Sequence, residues 1–284
     1  NSMKEYSSDF SVDIDKVIAA KSQRIAKLMP GFVKSYIKRL IHQREINEIL
    51  DANREFTGCE FVRNALSYMK ISYKAKYVDE AAFGGGGRYI FVSNHPLGGL
   101  DGLVLMDLLG SRFGKIKFVV NDFLMYIKPL EPLFVPVNKV GNMGKEYIDP
   151  FHEAYASDAQ ILYFPAGLCS RKVKGEIRDV EWKKSFVKHA VKYGRQIVPI
   201  FFSGKNSNFF YRLANLRKRL GIKFNIEMCF LPDEMFRQTN SSFNVVIGEP
   251  VSIDPALHGR EIDAVALQIR EKAYSLGSLI EKKV

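Results

Sequence analysis

The chain has 284 residues, 46% of them hydrophobic, which is enough to bury a sizeable core in one large α/β unit with a smaller appendage. Its formal charge of +11 admits nucleic acid, an anionic membrane face or an acidic protein as partner, but with no zinc-finger, RNP-like or helix-turn-helix signature nucleic acid is set aside. No apolar run approaches the roughly 18–20 residues that cross a bilayer, no charged-then-apolar leader is seen, and three distant cysteines (Cys59, Cys169, Cys229) fit reduced thiols in the cytoplasm.

Residues 12 to about 70 read as helices. Val17, Ile18, Ile25, Leu28 and Met29 recur at helical spacing until Pro30-Gly31, and Phe32, Val33, Tyr36, Ile37, Leu40 and Ile41 form a second run. Every charge from Lys21 to Arg44 is positive. Two readings stay open: a helical subdomain with a solvated basic face, or a segment lying on an anionic membrane. Glu45 to Met69 continues the helical pattern, so residues 1–70 form a helical N-terminal region and 71–284 an α/β domain.

Ile71 to Val78 reads as a first strand, and Gly84 to Gly87 as a loop without dinucleotide-binding spacing. Tyr89 to Ser93 is a buried strand that stops at Asn94-His95. Pro96 keeps His95 extended, Gly98 and Gly99 let the chain double back, and a helix begins at about Asp101 and ends at Gly110. A histidine at a strand end and a carboxylate in the next helix's first turn can meet, leaving the other imidazole nitrogen as a base. A structural histidine beside an N-terminal helix aspartate fits the same spacing.

Asn94-His95 followed by Asp101, within N-H-P-L-G-G-L-D-G, resembles the N-H-x4-D signature of the glycerolipid acyltransferases. The string is most similar to the bacterial hemolysin-like branch that acylates lyso-ornithine and lyso-glycine lipids. Five residues rather than four separate His95 from Asp101, and the two glycines are expected to absorb the extra one. The resemblance implies a glycerol-3-phosphate acyltransferase-like fold, with His95 and Asp101 catalytic and Asn94, Gly98 and Gly99 around the substrate.

Lys117 to Asn121 and Leu133 to Lys139 follow as strands, then Lys145 to Ser157 as a helix. Asn138-Lys139 occupy the D-R positions of the family's F-I-D-R block, so the resemblance gives Lys139 the acceptor's anionic head; a surface lysine fits equally. Ala159 to Phe164 is a strand leading into Pro165-Ala166-Gly167-Leu168-Cys169-Ser170-Arg171-Lys172. This resembles F-P-E-G-T-R-S, with Ala166 in place of the glutamate and Cys169 in place of the arginine. Gly167, Ser170, Arg171 and Lys172 are therefore expected at the acceptor, which is expected to be a lyso-lipid other than glycerol-3-phosphate.

Further on, Asp179 to Tyr193 reads as helix and Gln196 to Phe202 as a strand similar to the family's V-P block. Asn208 to Leu220 reads as a basic, aromatic-headed amphipathic helix that suits either a core or a lipid interface. Lys223 to Leu231 and Asn244 to Ile247 read as strands, and Glu261 to Lys283 as a closing helix. Alternating strands and helices predict one largely buried mixed sheet flanked by helices. Its motif-bearing strand ends converge on one face.

The implied activity moves a fatty acyl group from acyl-CoA or acyl carrier protein to a lyso-lipid hydroxyl, with no bound cofactor or metal, at the inner face of the membrane. The competing readings are a non-catalytic lipid or membrane-surface binding protein on the same scaffold and, less strongly, a hydrolase using water.

Overall fold

The computed structural model describes residues 11–21, 23–119, 124, 127–135 and 150–280. Five helices come first: α1 (Ile14–Lys21), α2 (Gln23–Leu28), α3 (Gly31–Leu40), α4 (Gln43–Ala52) and α5 (Gly58–Tyr68). Strands β1 (Ser72–Tyr77) and β2 (Tyr89–Ser93) lead to α6 (Leu100–Phe113), β3 (Ile116–Val119), β4 (Phe134–Val135), α7 (Pro150–Ala156) and β5 (Gln160–Tyr163). A hairpin, β6 (Arg171–Val173) and β7 (Glu176–Arg178), precedes α8 (Ser185–Tyr193) and β8 (Gln196–Phe202). The chain closes with α9 (Asn208–Arg219), α10 (Leu231–Arg237), β9 (Ser242–Ile247) and α11 (Gly259–Ser275).

Seven strands form one mixed sheet in the order β1-β9-β8-β2-β5-β3-β4. The five from β8 to β4 run parallel, while β9 pairs with β8 antiparallel and carries β1 parallel to itself. The expected α/β class with a mixed sheet is therefore observed. All five residues of β2 are buried, as a central strand with both faces covered requires. Successive side chains alternate between those faces. Tyr89 and Phe91 join Leu103, Leu105 and Phe61 of the helices on one side. Ile90 and Val92 join Phe186, Ile262 and Ile269 on the other. Helices thus cover both faces, and α5 lies against α6 in the first layer.

Register decides where the chemistry sits. Val92 pairs with Tyr163, so the residues just past β2 and β5 leave the sheet at one level. His95 and Phe164 both lie in that exit, and their rings stack with centroids 4.0 Å apart.

Two expected elements differ. Helix α8 starts only at Ser185, because Asp179 to Trp182 turns inward to bond the chain around His95. Lys223 to Leu231 is no strand: Ile226–Phe230 is a short 3-10 helix whose Glu227 is buried among arginines. The expected continuations of the strands past 119 and 135, residues 145–149 of the helix expected from Lys145, and Asn138 and Lys139 lie outside the described residues.

Candidate active site

The turn between β2 and α6 brings His95 and Asp101 together. Asp101 is fully buried, and its Oδ2 lies 3.0 Å from His95 Nδ1. The same oxygen accepts the Leu97 N–H at 2.9 Å and, more weakly, the Gly98 N–H at 3.4 Å, while Oδ1 accepts the Gly102 N–H at 2.9 Å. Backbone donors of the turn before α6, Leu97 and Gly98, and of its first turn, Gly102, thus hold the carboxylate, and the carboxylate faces the ring. Gly98, at φ +92°, takes up the additional residue between the pair, and a Cβ there would come within 2.8 Å of the Leu231 side chain. Nδ1 is the ring nitrogen that faces Asp101.

A second carboxylate, which the spacing of the motifs does not reveal, holds the backbone of His95. Asp179 Oδ1 accepts the His95 N–H at 3.1 Å and the Ser170 hydroxyl at 2.6 Å, and Oδ2 accepts the Trp182 indole N–H at 2.9 Å. The Ser170 N–H donates in turn to the His95 carbonyl at 2.7 Å. The segment after β5 is thereby stitched to the segment after β2. Burial pushes the Asp179 carboxyl up, opposed by the hydrogen bonds it accepts. Nothing in sequence marks Asp179, which lies 84 residues from His95 inside a stretch with helical periodicity.

A cavity of about 260 Å³ opens beside the histidine. Its wall includes His95, Gly98, Phe118, Phe164, Gly167, Leu168, Lys183 and Met228, with Tyr155, Tyr163 and His189 further round. Gly167, at φ +67°, lets the backbone pass close to Lys183. Burial, reinforced by Lys192 and Lys188, holds His189 below the ordinary histidine value and so favours its neutral form.

The expected site residues divide accordingly. His95, Gly98 and Gly167 share the cavity wall, with Asp101 behind the histidine and Gly99 capping α6. Asn94 exchanges two hydrogen bonds with the Phe202 backbone, joining β2 to β8. Ser170 is spent on Asp179. Arg171 is not on the cavity wall: its guanidinium donates to Glu227 at 2.8 Å and to the Cys169 carbonyl at 2.6 Å. Arg217 Nε sits 2.9 Å from the other Glu227 oxygen as a charge contact, not an aligned hydrogen bond. Lys172 lies in the β6–β7 hairpin, where its carbonyl accepts from Asn215. Lys139 lies outside the described residues. Lys183, absent from the residues read out of the motifs, is the lysine on the described cavity wall. Among the described residues no cluster of His, Cys, Asp and Glu could hold a metal.

The family model described as Acyltransferase matches residues 16–281, so the chain belongs to this family and the resemblance read from Asn94-His95 and Asp101 is borne out. Two curated relatives carry the name lyso-glycine lipid O-acyltransferase. The one from Bacteroides thetaiotaomicron is 43% identical over 243 residues, covering 85% of this chain and 89% of the relative. The one from Phocaeicola vulgatus is 41% identical, covering 85% and 86%. Among solved structures, the 1-acyl-sn-glycerophosphate (LPA) acyltransferase PlsC from Thermotoga maritima aligns with TM-score 0.47 and 16% identity over 92% of this chain and 94% of that one.

Proposed function

We propose that the chain is an O-acyltransferase that moves a fatty acyl group from a thioester, coenzyme A or acyl carrier protein, to the hydroxyl of a lyso-lipid, with a lyso-glycine lipid as first choice of acceptor. One observation carries the proposal: a histidine oriented by a buried carboxylate on the wall of a largely apolar cavity. The acceptor hydroxyl attacks the thioester carbonyl while His95 Nε2 takes its proton. The carbon–oxygen bond forms, the carbon–sulfur bond breaks, and the imidazolium returns the proton to the departing thiolate. Asp101 holds the tautomer and stabilises the imidazolium, and this general-base step supplies about 10²–10⁴-fold. The substrate brings the nucleophile, so Cys169 has no covalent role.

Lys183, next to Gly167 on the cavity wall, meets the acceptor's anionic end. The amides near Gly98 and Gly167 are placed to stabilise the oxyanion. The enzyme works from the inner face of the cell membrane, where its acceptor resides. No described helix is long and apolar enough to cross a bilayer.

The test is a pooled assay of radiolabelled acyl-CoA and acyl carrier protein donors against lyso-glycine lipid, lyso-ornithine lipid and lysophosphatidate. Label is expected in a diacylated amino-acid lipid. Release of free fatty acid without acceptor, or vesicle binding without turnover on any donor, counts against the reading.

A further inference from the structure

Helix α9 has two apolar faces, and the fold buries one of them. Phe210, Tyr211 and Ala214 are buried, the two aromatics packed with Cys169 and Leu231. On the other side Phe209 is 51% exposed, Leu216 52% and Leu220 64%, and the loop beyond adds Phe224 at 67%. Phe209, Leu216 and Leu220 fall on one stripe of a helix. Large apolar side chains grouped this way on a surface mark an interaction site.

Charge follows the same stretch. From Gly204 to Ile226 six cations occur without one acid, and all but Arg217, which turns inward to Glu227, are exposed. The N-terminal helices differ: α3 exposes Phe32 and Tyr36, but its Lys34 and Lys38 are drawn to Asp15. The α9 face also adjoins the cavity. Phe230 meets Phe209 with ring centroids 5.1 Å apart, and Met228 of the same short turn lines the wall beside His95.

We infer that the outward face of α9, continued through Phe224, docks on an anionic bilayer and seats the His95 cavity against the membrane. The aromatic and aliphatic bodies enter the interface while Arg212, Lys218, Arg219 and Lys223 meet lipid phosphates. An acidic carrier protein would satisfy the cations alone and leave Phe209, Leu216 and Phe224 exposed. The catalytic consequence of docking rests on the acyl-transfer reading; the docking itself does not.

The full chain is sedimented with vesicles of phosphatidylcholine alone and of phosphatidylcholine mixed with phosphatidylglycerol. The parent is expected to prefer the mixed vesicles. Phe209→Ser/Leu216→Ser/Phe224→Ser, and separately Arg212→Glu/Lys218→Glu/Arg219→Glu, are each expected to lower partitioning by about tenfold or more, since one cation near an anionic leaflet is worth about fivefold. Turnover of detergent-dispersed acceptor stays near the parent value, and turnover of vesicle-borne acceptor falls. Parent-like vesicle binding by both variants overturns the inference. So does a loss confined to carrier-protein-borne donor, or release by Phe32→Ser/Tyr36→Ser with none by the α9 variants. A parent that binds vesicles through α9 but never turns over would sink the function and leave the docking face standing.

Discussion

His95 is held at both ring and backbone: its ring by Asp101 and by the stacked face of Phe164, and its backbone by Asp179 and Ser170. In the proposed mechanism, a base held this way loses little orientational freedom when a substrate arrives, which is how positioning lowers a barrier. Lys183 belongs to the same scale. Removing a hydrogen bond to a charged group costs about 1.5–3 kcal/mol, so Lys183→Ala should raise KM for the acceptor about 10- to 100-fold with a smaller change in kcat, and Lys183→Arg should recover part of it. An unchanged KM would place the acceptor's charge elsewhere. Cys169 provides a check that needs no substrate. Burial pushes its thiol up to about 12, opposed by Arg171, so at neutral pH it carries about a thousandfold less thiolate than an ordinary cysteine. Iodoacetamide followed by mass spectrometry of the native protein should modify the exposed Cys229 and spare Cys169; labelling of both at one rate would contradict the buried placement.

At the scale of elements, the β2–α6 turn is the least replaceable piece. Gly98 combines a left-handed backbone with close contact to the buried Leu231. Gly98→Ala should cost about 1–3 kcal/mol in thermal or denaturant unfolding and reduce activity by more than that loss explains, because Leu97 and Gly98 donate to Asp101. A variant with parent stability and parent turnover would show that the turn tolerates other geometries. This turn was the most legible part of the chain, since Pro96, the glycines and the strand-to-helix change of period are all local signals. The later half of the site was less so. Asp179 and Trp182 lie in residues whose apolar spacing reads as helix, yet the carboxylate is needed under His95 and the helix gives way to it. Lys223 to Leu231 looks like a strand by composition, yet burial of Glu227 between Arg171 and Arg217 bends it into a 3-10 turn. Long-range polar bonds of this kind leave no period in a sequence.

For the whole molecule, one mixed sheet with helices on both faces explains why the two motifs meet. β2 and β5 are neighbours and parallel, so whatever follows each of them shares an edge of the sheet. The alternation of apolar strands and helices was enough to predict the class. Strand order was not readable, because β9 reverses direction beside β8 and carries β1 outward. Family membership agrees with this arrangement over residues 16–281. Arg171, expected at the acceptor from its place in the motif, illustrates the limit of position alone: its nearest carboxylate, Glu227, is 56 residues away in the chain and claims it.

The most direct test is single-turnover acyl transfer by His95→Ala, with circular dichroism and thermal unfolding confirming the parent fold. The rate should fall by about 10²–10⁴-fold, with Asp101→Asn losing activity in the same direction. A folded His95→Ala protein that transfers acyl groups at close to the parent rate would contradict the account.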